Sequence, residues 1–275
     1  MLGESPVWDA ADRKLIWLDV PGMAMLSTDP GGGETSERDL PRKIHSVRPI
    51  DGGGWIATSG LGIWQLHPDN AMTRIFEVDE PKGGGFNDAC CDPAGRLWTG
   101  TATSGPEARG ALYRLQGTRG ELITSGIIMS NGIGWSPDAR TLYYSDSAAH
   151  CVYAFDFDLE TGSARNQRVL RQFQGDHLPD GLAVDVAGRI WVAVWGGSAV
   201  MCLSPDGVEL ARVRLPTPNV TSCAFGGDDY GELFITTARS DPAQDDEIGG
   251  ALFHARPNSK GTASAAFRLK GKSRK

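Results

Sequence analysis

Glu4, Ser46, Asn87, Asn131, Asp180 and Ser222 are two carboxylates, two amides and two hydroxyls, and each opens one copy of a recurring phrase. The copies read ESPVWD, SVRPID, NDACCD, NGIGWS, DGLAVD and SCAFGG, each followed after a turn by an apolar-aromatic pair such as LIW, LWT or IWV. Their opening residues are 42, 41, 44, 49 and 42 positions apart. All six can offer an oxygen and none is basic. If the repeat sets them at one height around an axis, two acids converge and repel unless a cation or proton lies between them. Carboxylate and amide oxygens without thiolate or imidazole suit a hard divalent cation, calcium most naturally. The plainer alternative is that these residues only cap strand ends and turns.

The elements that carry them read as β. LIWLDV, GIWQLH, LYYSDS, CVYAFDFD and IWVAVW are short, rich in aromatic and β-branched residues, and bounded by Gly, Pro and Asp. No convincing amphipathic helix exceeds about ten residues. Four short strands in each unit of this length, repeated radially, are the signature of a propeller blade. The expected architecture is therefore all-β, a six-bladed β-propeller forming one domain over residues 1–275, with a metal site on its central axis. The innermost strand of each blade should carry the opening residue toward one channel. Three residues precede Glu4, so the ring should be closed by the stretch from Ser264 to Lys270, or one blade should have fewer strands.

Composition narrows the function. With 36 glycines spread through 275 residues and 40% hydrophobic content, the chain is neither fibrous nor disordered. A net charge of −7 argues against nucleic acid or an anionic membrane as partner. The tail of Lys270, Lys272, Arg274 and Lys275 reads as a solvated end. No apolar run reaches membrane-spanning length, and MLGESPVWDAAD lacks the basic start of a signal peptide. Five irregularly spaced cysteines suit a reducing cytosol, so a cytoplasmic protein, monomer or homodimer, is expected. Cys90 and Cys91, adjacent on a strand, should point to opposite faces and pack.

GESPVW at 3–8, FND at 86–88 with DPAGRLW after it, SNGIGWS at 130–136, PDGLAVD at 179–185 and TSCAFGG at 221–227 together resemble the senescence marker protein-30/gluconolactonase family, which includes regucalcin and the bacterial sugar lactonases. The resemblance runs in order along nearly the whole chain. It implies a six-bladed propeller with one axial divalent cation, metal ligands at Glu4, Asn131 and Asp180, a substrate-contacting residue at Asn87, and hydrolysis of aldonolactones with calcium, zinc, manganese or magnesium. Two departures bear on substrate choice: Gly85 stands where family members often have Arg, and Thr103, Ser104 and Gly105 stand where some carry a lid-loop acid.

Other constellations are weaker. Gly3-Glu4-Ser5-Pro6-Val7 lacks the last glycine of a nucleophile elbow. Asp156, Asp158 and Glu160 open like a calcium loop, but Thr161 and Gln167 occupy positions that need Gly and Glu, so a turn explains them better. Asp245, Asp246 and Glu247 read as a solvated loop, and Asn219-Val220-Thr221 is a glycosylation acceptor that matters only in a secreted chain. His177, near Asp180, reads as a surface-loop histidine, with a proton carrier at the channel mouth as the alternative. The expected function is hydrolysis of a small-molecule sugar lactone, with Asp180 as ligand and general base and Asn87 orienting the substrate. A phosphotriesterase using the same cation, or a calcium- or partner-binding propeller without turnover, are the alternatives.

Overall fold

The computed structural model describes residues 1–31, 33–79, 84–103, 110–239 and 246–269. Its strands form six antiparallel sheets in chain order, each a simple meander whose neighbours in sequence are neighbours in space. The first strands are Gly3–Asp9, Ser46–Pro49, Gly85–Cys91, Ser130–Trp135, Leu178–Val184 and Val220–Gly226, and each packs against the first strands of the two adjacent sheets, including the last against the first. That is a closed six-bladed propeller.

The core lies between blades. Six apolar clusters fill the six boundaries: Val7 and Leu18 of blade 1 meet Val47 and Leu66 of blade 2, Trp98 and Leu112 of blade 3 meet Ile133 and Tyr144 of blade 4, and Trp8 of blade 1 stacks on Phe234 of blade 6. Inner and middle strands therefore face apolar neighbours on both sides. This is why IWVAVW is an unbroken apolar run rather than an alternating one. Outer strands such as Thr35–Asp39 have one covered edge and are mostly exposed.

The recurring Asp of the phrase has a structural task. Asp92 accepts hydrogen bonds from the backbone N–H of Ala94 (2.9 Å) and Arg96 (3.0 Å), from Arg96 Nε (2.5 Å) and from Trp98 Nε1 (2.9 Å). Asp185 repeats the same set with Ala187, Arg189 and Trp191. In both DPAGRLW and DVAGRIW the acid thus folds the turn that returns the chain along the blade. Asp156 and Asp158 also serve turns and surface pairs, Asp156 with Arg168 and Asn166, and Asp158 with the N–H of Thr161.

Between the two routes to closure, the fold takes the second. Blade 6 has three strands among the described residues, the outermost being Phe253–Ala255. The C-terminal stretch runs elsewhere. Gly261 bridges to Asp185 on blade 5, and Phe267 pairs with Ile50 on blade 2 while Arg268 N donates to Gly95 O on blade 3. Residues 262–265 therefore cross the axis, sharing a cavity of about 480 Å³ with Pro6, Arg48, Cys90, Leu182 and Ala224 at the lower end of the channel. The ring itself is joined by a bridge between Leu2 and Ala238 and a bond from Arg239 N to Met1 O. No helix of the described residues is long and apolar enough to cross a membrane.

Candidate functional site

Strand alternation alone would send every second residue to the channel, but the inner strands are not regular there. In blades 1, 3, 4 and 5 the ladder slips by one residue at the phrase's opening: Ser5 and Pro6 lie opposite Trp17, Asn87 and Asp88 opposite Gly100, Asn131 and Gly132 opposite Ser145, and Asp180 and Gly181 opposite Ala193. Blade 6 slips at Thr221. A β-bulge bends the strand and re-aims side chains, and here one lies within two residues of the phrase's opening in five blades. Ser5 adopts the left-handed conformation (φ 53°) within the bulge of blade 1. Blade 2 keeps a regular ladder from Ser46 opposite Thr58 to Pro49 opposite Trp55.

Glycine follows the opening residue in blades 4 and 5 for a packing reason. A Cβ on Gly132 would sit 2.5 Å from Leu182 N and 2.7 Å from Asp180 O, and one on Gly181 would meet Ser222 Oγ at 2.1 Å. The inner strands of blades 4, 5 and 6 approach one another only because these positions carry no side chain.

The six ring residues all lie on the first strands of their sheets. Asn131, Asp180, Ser46 and Ser222 are buried, while Glu4 and Asn87 keep partial exposure. Asn87 Nδ2 donates to Asn131 Oδ1 (3.1 Å) and to Ser130 O (2.9 Å), and Asn131 Nδ2 donates to Ser147 Oγ (2.7 Å). Ser147 Oγ in turn donates to Pro179 O (2.7 Å), next to Asp180. The Asn131 side chain is thereby held with its carbonyl oxygen presented and its amide turned away.

The two acids are in an unusual state. Burial, then the charges of Asp180 and Asp88, push the Glu4 carboxyl well above its ordinary range, against smaller opposing effects of the Ser5 backbone and Arg48. Burial, then Asp88, raises Asp180 likewise. Asp180 Oδ1 is buried and has no hydrogen-bond partner. An acceptor oxygen of this kind is costly to bury unless something cationic or protic meets it. Glu4, Asp180 and the carbonyl oxygen of Asn131 make an all-oxygen donor set that fits a hard divalent cation. Among the described residues no three His, Cys, Asp or Glu side chains form a metal cluster; the candidate set is two carboxylates and an amide.

Several residues beside the ring escape a reading by spacing. His45, half-buried, lies beside the Asn87 side chain, and burial followed by the charge of Lys43 lowers its pKa. Asp88 is buried and takes Ser46 Oγ (3.2 Å), Ala89 N (2.7 Å) and, more weakly, Arg48 Nη2 (3.4 Å). Its partner Arg48 is buried too. The signal for His45 was its place one residue before Ser46; the signal for Asp88 was its adjacency to Asn87, which matters only once the bulge is known. His177 lies exposed on a surface loop, as its favoured reading had it. A Cβ on Gly85 would touch Gly60 O at 3.3 Å, so a large side chain has little space there. Thr103 donates to Ile128 O, while Ser104, Gly105, Asp245 and the basic tail from Lys270 lie outside the described residues.

The fold defines a class: closed six-bladed propellers whose inner strands begin with oxygen-bearing side chains. The chain belongs to the SMP-30/gluconolactonase/LRE-like family, whose model matches residues 2–239. It is 36% identical to regucalcin from Bos taurus over 249 residues, covering 86% of this chain and 83% of that one. Among solved structures, it superimposes with a TM-score of 0.89 on a luciferin-regenerating enzyme at 29% identity, covering 98% of this chain and 95% of that one. A calcium-binding regucalcin from Agrobacterium tumefaciens matches with the same TM-score at 28% identity, covering 98% and 94%.

Proposed function

We propose that this protein is a divalent-cation-dependent hydrolase that opens a sugar lactone to its aldonic acid. The observation that carries the reading is the buried, unpartnered Asp180 Oδ1, whose carboxyl is near enough to Glu4 for its charge to raise the Glu4 carboxyl, on a strand joined to Asn131 through Ser147. Family membership supports the same reaction class. Glu4, Asn131 and Asp180 would hold the cation, calcium by donor chemistry, with zinc, manganese and magnesium as competitors. When bound, the cation supplies Lewis acidity toward the lactone carbonyl.

The remaining steps belong to the chain's own groups. Asp180 has a second carboxylate oxygen, which takes the proton from the water that adds to the carbonyl carbon. The ring C–O bond then breaks and the proton is returned to the departing ring oxygen. Both Asn87 amide protons are engaged by Ser130 and Asn131, so its contribution to substrate is an acceptor oxygen, offered beside His45 at the channel mouth. Glycine at position 85 leaves no arginine there to grip sugar hydroxyls, which favours a lactone other than plain gluconolactone. Five free thiols support a cytosolic setting.

A second reading, ion binding without turnover, is favoured by the calcium-binding description of the Agrobacterium relative. Stripping the protein of metal, reloading it separately with calcium, zinc, manganese and magnesium, and screening sugar lactones separates the two. Hydrolysis that appears only on reloading supports the lactonase. Tight ion binding with no hydrolysis of any sugar lactone establishes the second reading instead.

A further inference from the structure

Arg48 is a cation buried inside an acidic channel. Because blade 2 alone keeps its regular ladder, Arg48 lies two residues after Ser46 on the same face of its strand and points where Ser46 points. Its Nη1 donates to Ser5 Oγ (2.7 Å) and Val47 O (2.6 Å), and its Nη2 reaches Asp88 Oδ1 (3.4 Å). Ser5 adjoins Glu4 on blade 1, and Asp88 adjoins Asn87 on blade 3, where the bulge turns both residues inward. Arg48 is therefore anchored between the strands that carry two ring residues.

We propose that Arg48 offsets part of the charge of Asp88 within the channel, so that the site is matched to a divalent rather than a trivalent cation. The inference rests on the cation reading above. Three carboxylates without a counter-charge would favour an ion of higher valence and would repel one another strongly in its absence. The bonds from Ser46, Ala89 and Arg48 all fall on Asp88 Oδ1 and fix the orientation of that carboxylate beside the Arg48 guanidinium. Arg48 is a positioning residue here, since it acts through Asp88.

The test measures binding, not turnover. Calcium affinity by calorimetry and terbium affinity by luminescence are compared in wild type, Arg48→Met, Arg48→Lys, Asp88→Asn, the Arg48→Met/Asp88→Asn double variant and Glu4→Gln. Arg48→Met should raise the preference for terbium over calcium about tenfold, the effect of one unit charge close to the bound ion. Asp88→Asn should lower it by a similar factor, while the double variant and Arg48→Lys return it to within about threefold of wild type. If Arg48→Met does not fold, the opposite shift in Asp88→Asn still decides. An unchanged preference in both single variants, whatever the loss in Tm, makes Arg48 a structural residue and overturns the proposal. Failure of the underlying cation site looks different: wild type binds neither ion, or Glu4→Gln binds both as well as wild type does.

Discussion

Asn87 Nδ2 donates to Asn131 Oδ1 across 3.1 Å, joining the inner strands of blades 3 and 4 at the level of the acids. One side chain thus orients a proposed ion ligand and faces the proposed substrate. Asn87→Ala should weaken cation affinity about tenfold or more, the usual cost of losing a residue that holds a ligand. With cation in excess it should raise KM more than it lowers kcat, because the lost contact serves ground and transition states alike. Steady-state kinetics at several metal concentrations read both effects. An intact cation affinity would remove Asn87 from the ligand-holding role.

Asp180→Asn keeps the shape and one oxygen donor but removes the basic oxygen. Turnover should fall by about 10²–10⁴, the usual worth of a positioned base, even at saturating cation. The backbone bond to Gly181 and the burial of the site leave no reason for the fold to change, so circular dichroism should be unaltered. Full activity in this variant would take Asp180 out of the chemistry.

Glu4 and Asp180 have raised proton affinities, so in the metal-free protein the folded state holds protons that the unfolded chain releases at ordinary carboxylate pKa values. Their contribution to stability is complete below that ordinary range and is lost as pH rises through the raised values. The Tm of metal-free Glu4→Gln/Asp180→Asn should therefore gain on that of metal-free wild type as pH is raised from about 4 to 8. Calcium should restore wild type at the upper end, since a ligand of the folded state stabilises it. A constant difference in Tm across this range would mean that the acids do not strain the empty site.

Gly132→Ala and Gly181→Ala each force a methyl group against the neighbouring inner strand. Each should cost about 1–3 kcal/mol, as overpacking does, read as a lower urea midpoint at unchanged slope. Gly126→Ala, whose Cβ would touch nothing but whose backbone is left-handed (φ 85°), offers a control for strain without crowding.

The regular period of the repeat made the propeller and the six opening residues legible, because a blade cannot bury its faces alone and so recurs at a fixed length. What the period could not convey was the local slip in the ladder. Strand alternation puts Asp88 on the face opposite Asn87, whereas the bulge brings both inward. Arg48 was hidden by the reverse: it reads as one residue of SVRPID until the regular ladder of blade 2 is seen beneath Ser46. His45 carries no signal in its spacing beyond its place before Ser46, whereas His177, near Asp180 in sequence, reads as a surface-loop histidine and lies exposed. The closing device was partly visible, since the choice between a C-terminal strand and a short blade had been set by the chain itself. The path of residues 262–265 across the axis depends on contacts between blades far apart in sequence.

That crossing segment has a consequence for traffic. Residues 262–265 line the cavity at the lower end of the channel with Pro6, Arg48 and Cys90, so traffic in the proposed reaction would use the opposite end, on the side of Asn87. On that reading substrate would enter and acid product would leave by one route, and the charge of Glu4 and Asp180, where the cation leaves it uncompensated, would repel an anionic product from the site.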